Sequence, residues 1–592
     1  MKRKLLFIVP MHISFESFLA PAHNSRSFKK GDGRAYNSLS TDMPLGALSM
    51  SAYIKQFVDV EVRLLDFNAE INVLDSFPYE TFHECCKDLL RKMGFVPDVV
   101  GVSSLFSPSF HNFMDCGRAV RELFPDALVL GGGNIPTNSY DHIYRELQCN
   151  FYDGLCYGEG ERPLLGVLQA EDPHAYMDAS RSWITPRKVV GDLAPFTPAH
   201  DFIENLDEIP FFDYDLCSLE KHATNPVTSS FHNVSYGRGF HIMTSRGCPY
   251  HCTFCASHRT HGREMRFHSV ARVQEDLTRL RHDYGATTVI FQDDHLMSDK
   301  NRVYELLKIV GDLKLESLYQ NGLTLFSLDR PMLEAFYAAG VRHLVLPVES
   351  GSEKVLRHQM KKPLKLQFSE RVAKDCRELG IYTNSNILIG MPGETKADIE
   401  ETRRNLRRIA TNWFNIACAS PIVGSDMHYL AKEKGYIRGD TLGSDYRKAI
   451  IETDDFSADY IQGMQYLMNL ELNFVLNTDV RLGEYETALM GFRNVIRLKP
   501  DHAFAHYFAA QCYKGLGDQA RYEEHMKAYF TSAGTSFWRK YVEHFKLPTT
   551  PSETAGVYEP VEVCGPADDL DAVPLESRDR GSPLPILSVV SN

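Results

Sequence analysis

Nowhere in the 592 residues do about 18 apolar side chains follow one another, the length a helix needs to cross a bilayer. The N-terminus, Met1-Lys-Arg-Lys, superficially resembles a secretion signal. Its apolar run is only Leu5 to Val9, however, before Pro10, His12 and Glu16 interrupt it. That is too short for a signal core and predicts a first buried strand instead. There is no Lys/Arg-rich stripe, and the net charge of −13 argues against a nucleic-acid partner. No G-x-G-x-x-G run precedes a helix, which disfavours a nicotinamide-binding fold. Cysteine is sparse, 13 residues, mostly scattered, and this predicts a reduced cytosolic protein rather than a disulfide-stapled one. With 43% hydrophobic and 24% charged residues the chain is ordinary globular material, long enough for three or four domains.

The exception to that scatter is the run Thr244-Ser-Arg-Gly-Cys-Pro-Tyr-His-Cys-Thr-Phe-Cys255. Three Cys at these offsets arise by chance about 0.006 times in such a chain. Cys248, Cys252 and Cys255, spaced C-x3-C-x2-C, can ligate three irons of a [4Fe–4S] cluster from one loop. With no fourth Cys nearby, one iron stays open, and an open position marks a catalytic metal site. A zinc site is the competing reading, with His251 or His258 as a fourth ligand.

This loop resembles the cluster loop of the radical S-adenosylmethionine (radical SAM) superfamily, including an aromatic residue, Phe254, before the third Cys. The resemblance implies that the open iron chelates S-adenosylmethionine, which one electron then cleaves to a 5′-deoxyadenosyl radical. It also implies an electron donor such as flavodoxin or ferredoxin. Around the loop the chain alternates strand and helix. Strands are predicted at 240–244, 287–292, 318–324, 343–348, 381–389 and 414–419, and helices at 270–284, 302–313, 331–339, 371–379 and 397–409. The implied fold is an open six-stranded (β/α)6 partial barrel over residues 236–430, with active residues at the C-terminal strand ends. By resemblance, Asp293 or Asp294 faces the methionine amino group, Glu349 and Ser350 approach the ribose, and Gly390 lets backbone pass close to adenine.

Residues 1–170 read as a second α/β unit, doubly wound and Rossmann-like. Its strands are predicted at 5–9, 60–65, 99–103, 128–130 and 153–156, with helices at 44–56 and 116–123. The motifs Pro44-Leu-Gly, Ser103-Ser-Leu105, Gly131-Gly-Gly and Gly158-Glu-Gly-Glu161 resemble the cobalamin-binding domain that precedes many radical SAM barrels. The resemblance implies that Ser103 and Ser104 hydrogen-bond the nucleotide tail of cobalamin, that Gly131, Gly132 and Gly133 admit it, and that Glu159 belongs to the same site. The D-x-H-x-x-G loop that carries an axial histidine in some cobalamin proteins is absent. His12 lies in the corresponding loop, where a lone histidine is more often a polar surface residue.

Residues 171–235 read as a linker, and 431–548 as a helical region. Within about 470–530, Gly483 and Gly517 stand 34 residues apart, the tetratricopeptide period. That repeat either caps the barrel or docks a protein partner. From Thr549 to Asn592 the composition predicts disorder, and Cys564 is no ligand. Taken together, the reading is a cytoplasmic enzyme that uses a [4Fe–4S] cluster, S-adenosylmethionine and cobalamin to transfer a methyl group to an unactivated carbon of a small molecule. A radical cyclase or rearrangement enzyme, and a non-catalytic scaffold acting through the repeat, are the alternatives.

Overall fold

The computed structural model describes residues 2–21, 27–222, 237–443 and 448–552. The predicted disorder beyond residue 552, and Cys564, lie outside them. Among the described residues no helix is long and apolar enough to cross a membrane.

The run Leu5–Val9 becomes strand β1 (Arg3–Val9), buried on both faces as a central parallel strand must be. It pairs on one side with β2 (Val60–Asp66) and on the other with β3 (Val99–Ser103). With β4 (Leu128–Gly132), β5 (Gly154–Cys156) and β6 (Trp183–Ile184) the sheet order is β2-β1-β3-β4-β5-β6. This is a doubly wound sheet whose strand order reverses between β1 and β3, the crevice where such folds bind ligands. Alternate residues of β1 serve different cores. Leu6 and Ile8 join Phe113 and Val120 on one face. Leu5 and Phe7 join Leu48 and Val167 on the other, and that core continues without a break into the second domain.

Part of the stretch read as a linker is sheet. After the helix Pro173–Ala179, β6 adds antiparallel to β5 through Leu155↔Ile184 and Cys156↔Trp183. A two-residue strand carries no alternation that the sequence could display. The chain then wraps along both domains: Ser51 Oγ donates to Asp213 (2.6 Å) and the Tyr214 hydroxyl donates to the His241 carbonyl (2.7 Å).

The second domain has six parallel strands in two ladders. The first contains β7 (Gly239–Ile242), β8 (Thr288–Phe291) and β9 (Glu316–Tyr319), in the order β9-β8-β7. The second runs β10 (His343–Glu349), β11 (Tyr382–Ile389) and β12 (Trp413–Cys418). Outer helices α1 (Val270–His282), α2 (Lys300–Asp312), α3 (Arg330–Ala338), α4 (Leu366–Leu379) and α5 (Lys396–Leu406) alternate with them. β9 ends earlier than its predicted limit at Thr324, because Gly322 takes φ +75° and turns the chain away.

The open edge at β12 is covered by α6 (Ala458–Leu470) and the wide helical turn that extends it. Asn473 both accepts from Phe414 N (2.7 Å) and donates to Phe414 O (2.9 Å), and Gln465 donates to Ile416 O (2.6 Å). Side-chain amides thus satisfy backbone groups that an exposed edge would leave unpaired. Helices α7 (Tyr485–Leu498) and α8 (Ala503–Gly515) follow as neighbours, and α7 packs Phe492 against Trp413 of β12. Gly483 and Gly517 occupy equivalent left-handed turns, φ +74° and +76°.

Candidate functional site

The three cysteines sit on a loop pinned at every side. Just beyond β7, Ser245–Arg246 pairs antiparallel with Arg266–Phe267 and closes the loop at its base. Gly247 takes φ +95°, and a Cβ there would lie 2.2 Å from the Glu264 carbonyl oxygen, so no other residue fits. The Thr253 amide donates to Met360 O (3.0 Å) and the Met427 amide to Thr253 O (2.8 Å), which ties the loop to the segments after β10 and β12. Phe254 packs its ring against the main core.

Cys248, Cys252 and Cys255 are half-buried. Burial, reinforced by their mutual repulsion, pushes the Cys248 and Cys252 thiols up to about 11 and raises Cys255 as well. Such a donor set favours a strongly cationic centre that displaces the protons. Among the described residues no three His, Cys, Asp or Glu side chains converge on one point, as a single ion requires. A four-iron cluster places each thiolate on a different iron and asks for a wider triangle.

The two aspartates after β8 separate cleanly. Asp293 accepts from Thr244 N and Oγ1 and from Ser245 Oγ, at 2.5–3.2 Å. It braces the base of the cluster loop, chiefly through Oδ1. Asp294 keeps one carboxylate oxygen, Oδ2, buried without a partner. Burial raises its pKa, and the neighbouring His261 pulls the other way. An orphan acceptor beside the cysteines suits a cationic ammonium group.

At the other strand ends the expected residues meet neighbours within the protein. Glu349 closes β10 in the left-handed region, φ +67°, and pairs with Lys362 at 3.2 Å. Ser350 does not face outward: its hydroxyl bonds Thr402 Oγ1 (3.0 Å) and accepts from Ser352 N. Gly390, φ +88°, is approached not by an open cleft but by Ile461 of α6, 2.9 Å from where its Cβ would stand. Glu394 holds this turn by accepting from the Gly390 and Met391 amides, at 2.7 and 3.0 Å. Burial, partly offset by those two amides, raises its pKa to about 7.

In the first domain the glycines divide by what surrounds them. A Cβ on Gly131 would strike Leu155 and Phe113 within 2.8 Å, so this residue serves the core. One on Gly133, φ +97°, would meet the Ser104 carbonyl at 2.5 Å. Of the three glycines 131–133 it is Gly132 that has open space, its nearest neighbour being Cys156 at 4.0 Å. Ser104 is buried and spends its hydroxyl on Ser109 (2.6 Å), which leaves Ser103, at the end of β3, as the accessible one of the pair. His12 lies at the β1 end of the switch point, its ring edge-on to Phe106 at 5.1 Å.

Glu159, expected in the cobalamin site, meets three cationic side chains of the second domain. Its carboxylate, 6% exposed, takes Arg266 through both oxygens (2.6 and 2.9 Å), Arg246 at 2.9 Å and His261 at 2.9 Å. Arg246 reaches on to Glu161 (2.7 Å), which also accepts from Ser49 Oγ (2.5 Å). Burial alone would raise the Glu159 pKa, but Arg246, His261 and Arg266 together outweigh it and hold the carboxyl well below its usual range. The first domain therefore grips the cluster loop by a buried charge network. Arg246 stands two residues before Cys248, but nothing in the sequence pairs it with a carboxylate 87 positions upstream.

Sequence comparisons fit this geometry. Residues 242–406 match the model of the radical SAM superfamily, and residues 38–168 match that of the B12 binding domain. The chain carries a radical SAM domain and a B12-binding domain. The radical SAM chain is 27% identical over 427 residues to cytidylyl-2-hydroxyethylphosphonate methyltransferase of Streptomyces wedmorensis, covering 67% of this chain and 78% of that one. It is 24% identical over 338 residues to the anaerobic magnesium-protoporphyrin IX monomethyl ester cyclase of Rubrivivax gelatinosus, covering 56% and 58%. Its fold resembles that of the cobalamin-dependent S-adenosylmethionine radical enzyme OxsB, solved with aqua-cobalamin bound. The TM-score is 0.55 at 14% identity, with 90% of this chain and 80% of that one covered.

Proposed function

We propose that this protein transfers a methyl group to an unactivated carbon of a small-molecule substrate. The observation that carries this reading is the grip of Glu159 and Glu161, at the strand ends of the B12-binding domain, on the loop that bears Cys248, Cys252 and Cys255. It holds the two cofactor sites in fixed register, so that proximity replaces a bimolecular encounter. When bound, the [4Fe–4S] cluster, S-adenosylmethionine and cobalamin supply one-electron sulfonium cleavage, hydrogen abstraction and a transferable methyl group.

The chain's own residues orient and enclose. The three cysteines hold irons, the free oxygen of Asp294 accepts from the methionine ammonium, and Glu349 with Lys362 marks the ribose and carboxylate side. On the first domain, Ser103 and the open face of Gly132 receive the nucleotide tail. The electron comes from a small donor protein such as a flavodoxin or ferredoxin.

The test is product stoichiometry. Anaerobic turnover with methyl-labelled S-adenosylmethionine, followed by mass spectrometry of small-molecule pools, identifies a labelled product. It also gives S-adenosylhomocysteine and 5′-deoxyadenosine in roughly equal amounts, because one S-adenosylmethionine methylates and a second initiates. 5′-Deoxyadenosine without S-adenosylhomocysteine overturns methyl transfer. It would favour the cyclase or rearrangement reading, which the similarity to the monomethyl ester cyclase supports.

A second expectation concerns cobalt. His12 is not preceded by the aspartate of a D-x-H-x-x-G loop, and its ring is packed against Phe106. Electron paramagnetic resonance of the Co(II) form shows no splitting from an axial protein nitrogen. Splitting that disappears in His12→Ala reverses that assignment.

A further inference from the structure

The barrel interior holds a group of side chains that neither the cluster loop nor the strand-end motifs use. Successive residues of a strand point to opposite faces. In β10, Leu344, Leu346 and Val348 are fully buried in the core shared with the surrounding helices, so Val345 and Pro347 face inward. The register Pro347↔Asn386↔Asn415 puts two carboxamides from β11 and β12 on the same inner face. In the other ladder Phe291 and Tyr319 stack at 5.1 Å, and Tyr319 meets Phe336 of an outer helix. Their successors Gln292 and Gln320 therefore turn inward.

These four carboxamides pair two by two and stop short of satisfying one another. Gln292 donates to Gln320 Oε1, and Asn415 donates to Asn386 Oδ1 (3.0 Å). Gln320 Nε2 and Asn415 Oδ1 then have no partner, although these residues are 2% and 6% exposed. A buried polar atom left in this state costs stability, and such costs persist where function needs them. Of the acidic groups bordering this face, Glu349 is engaged by Lys362 and Glu316 by Thr288, and the open oxygen of Asp294 is the one assigned to the methionine ammonium.

We propose that the Gln292–Gln320 and Asn386–Asn415 carboxamides bind an uncharged part of the substrate, a carboxamide or hydroxyl group. Such a group can accept from Gln320 Nε2 or donate to Asn415 Oδ1, since it carries both capacities. A carboxylate or ammonium would be stripped of water with no counter-ion to receive it. The inference rests on the methyl-transfer reading only in taking the barrel interior as the substrate chamber.

Saturation-transfer NMR on the full-length protein tests it, with N-acetylglycinamide and glycerol as neutral probes and N-acetylglycinate and glycinamide as their charged counterparts. A neutral probe binds the wild type, and Gln320→Leu and Asn415→Leu each weaken that binding about tenfold. Each variant also removes a hydrogen-bond partner, of Gln292 in one and of Asn386 in the other, so neither gains stability. Their iron content is unchanged. A hydroxyl substrate shows as glycerol binding better than the amide, and an amide substrate as the reverse. Probes that bind the variants as they bind the wild type, or charged probes that bind equally well, would overturn the proposal. The NMR experiment needs no turnover, so its failure is distinct from a failure of the stoichiometry test.

Discussion

Replacing any one of Cys248, Cys252 or Cys255 by Ala abolishes both the visible absorbance of the anaerobically reconstituted protein and all cleavage of S-adenosylmethionine. The three thiolates come from one loop and bond three irons of one cluster, so each loss removes a third of the anchorage and exposes a second iron. The loop itself survives, because Gly247, Thr253 and Arg266 hold its backbone independently of the thiols. Cys418 and Cys512 provide the control. Both are buried and neither belongs to the loop, and their replacement leaves iron and sulfide content intact. A Cys248→Ala protein that retained its absorbance and its cleavage activity would refute the cluster assignment.

Glu159→Ala has the next largest effect. Removing one partner from a buried ion pair costs about 3–5 kcal/mol, because the remaining charges stay buried and uncompensated. Here Arg266 and His261 lose their carboxylate and Arg246 keeps only Glu161, all three lying on the cluster loop or its closing strand. The variant loses iron during purification and its loop becomes sensitive to protease. It still binds cobalamin, since Glu159 turns toward the second domain and not toward Gly132. Glu159→Gln keeps the shape and part of the hydrogen bonding, and falls between Ala and wild type in iron content. Wild-type iron loading in Glu159→Ala would show that the network is dispensable. Loss of cobalamin with full iron would restore Glu159 to the tail-binding set.

The strands were legible because their chemistry is local. The run Leu5–Val9 is apolar on both faces and lies in the centre of a sheet. The ends of β3 and β12 fall within a residue of expectation for the same reason. β6 was not legible, because Trp183 and Ile184 form a strand only where β5 offers them an edge. β9 ends at Tyr319, just before the left-handed turn at Gly322.

The site divides along a similar line. Cysteine spacing is a property of the chain, and it alone announces a cluster with an open iron. The roles of Ser104, Ser350, Gly131 and Asp293 are not properties of the chain, since each was decided by a neighbour far away in sequence. Ser350 met Thr402, and Asp293 met Thr244. A hydroxyl or carboxylate at a strand end is equally suited to a ligand and to the protein's own backbone, and only packing tells which partner arrives first. Glu159 is the plainest case. From its motif it belongs with cobalamin, whereas the fold places two arginines and a histidine around it and makes it the joint between domains. The sequence by itself determined the chemistry, through three thiols and two sets of strand-end glycines. Tertiary structure decided which polar groups remain free for ligands, because that depends on distances between residues that the chain brings together only on folding.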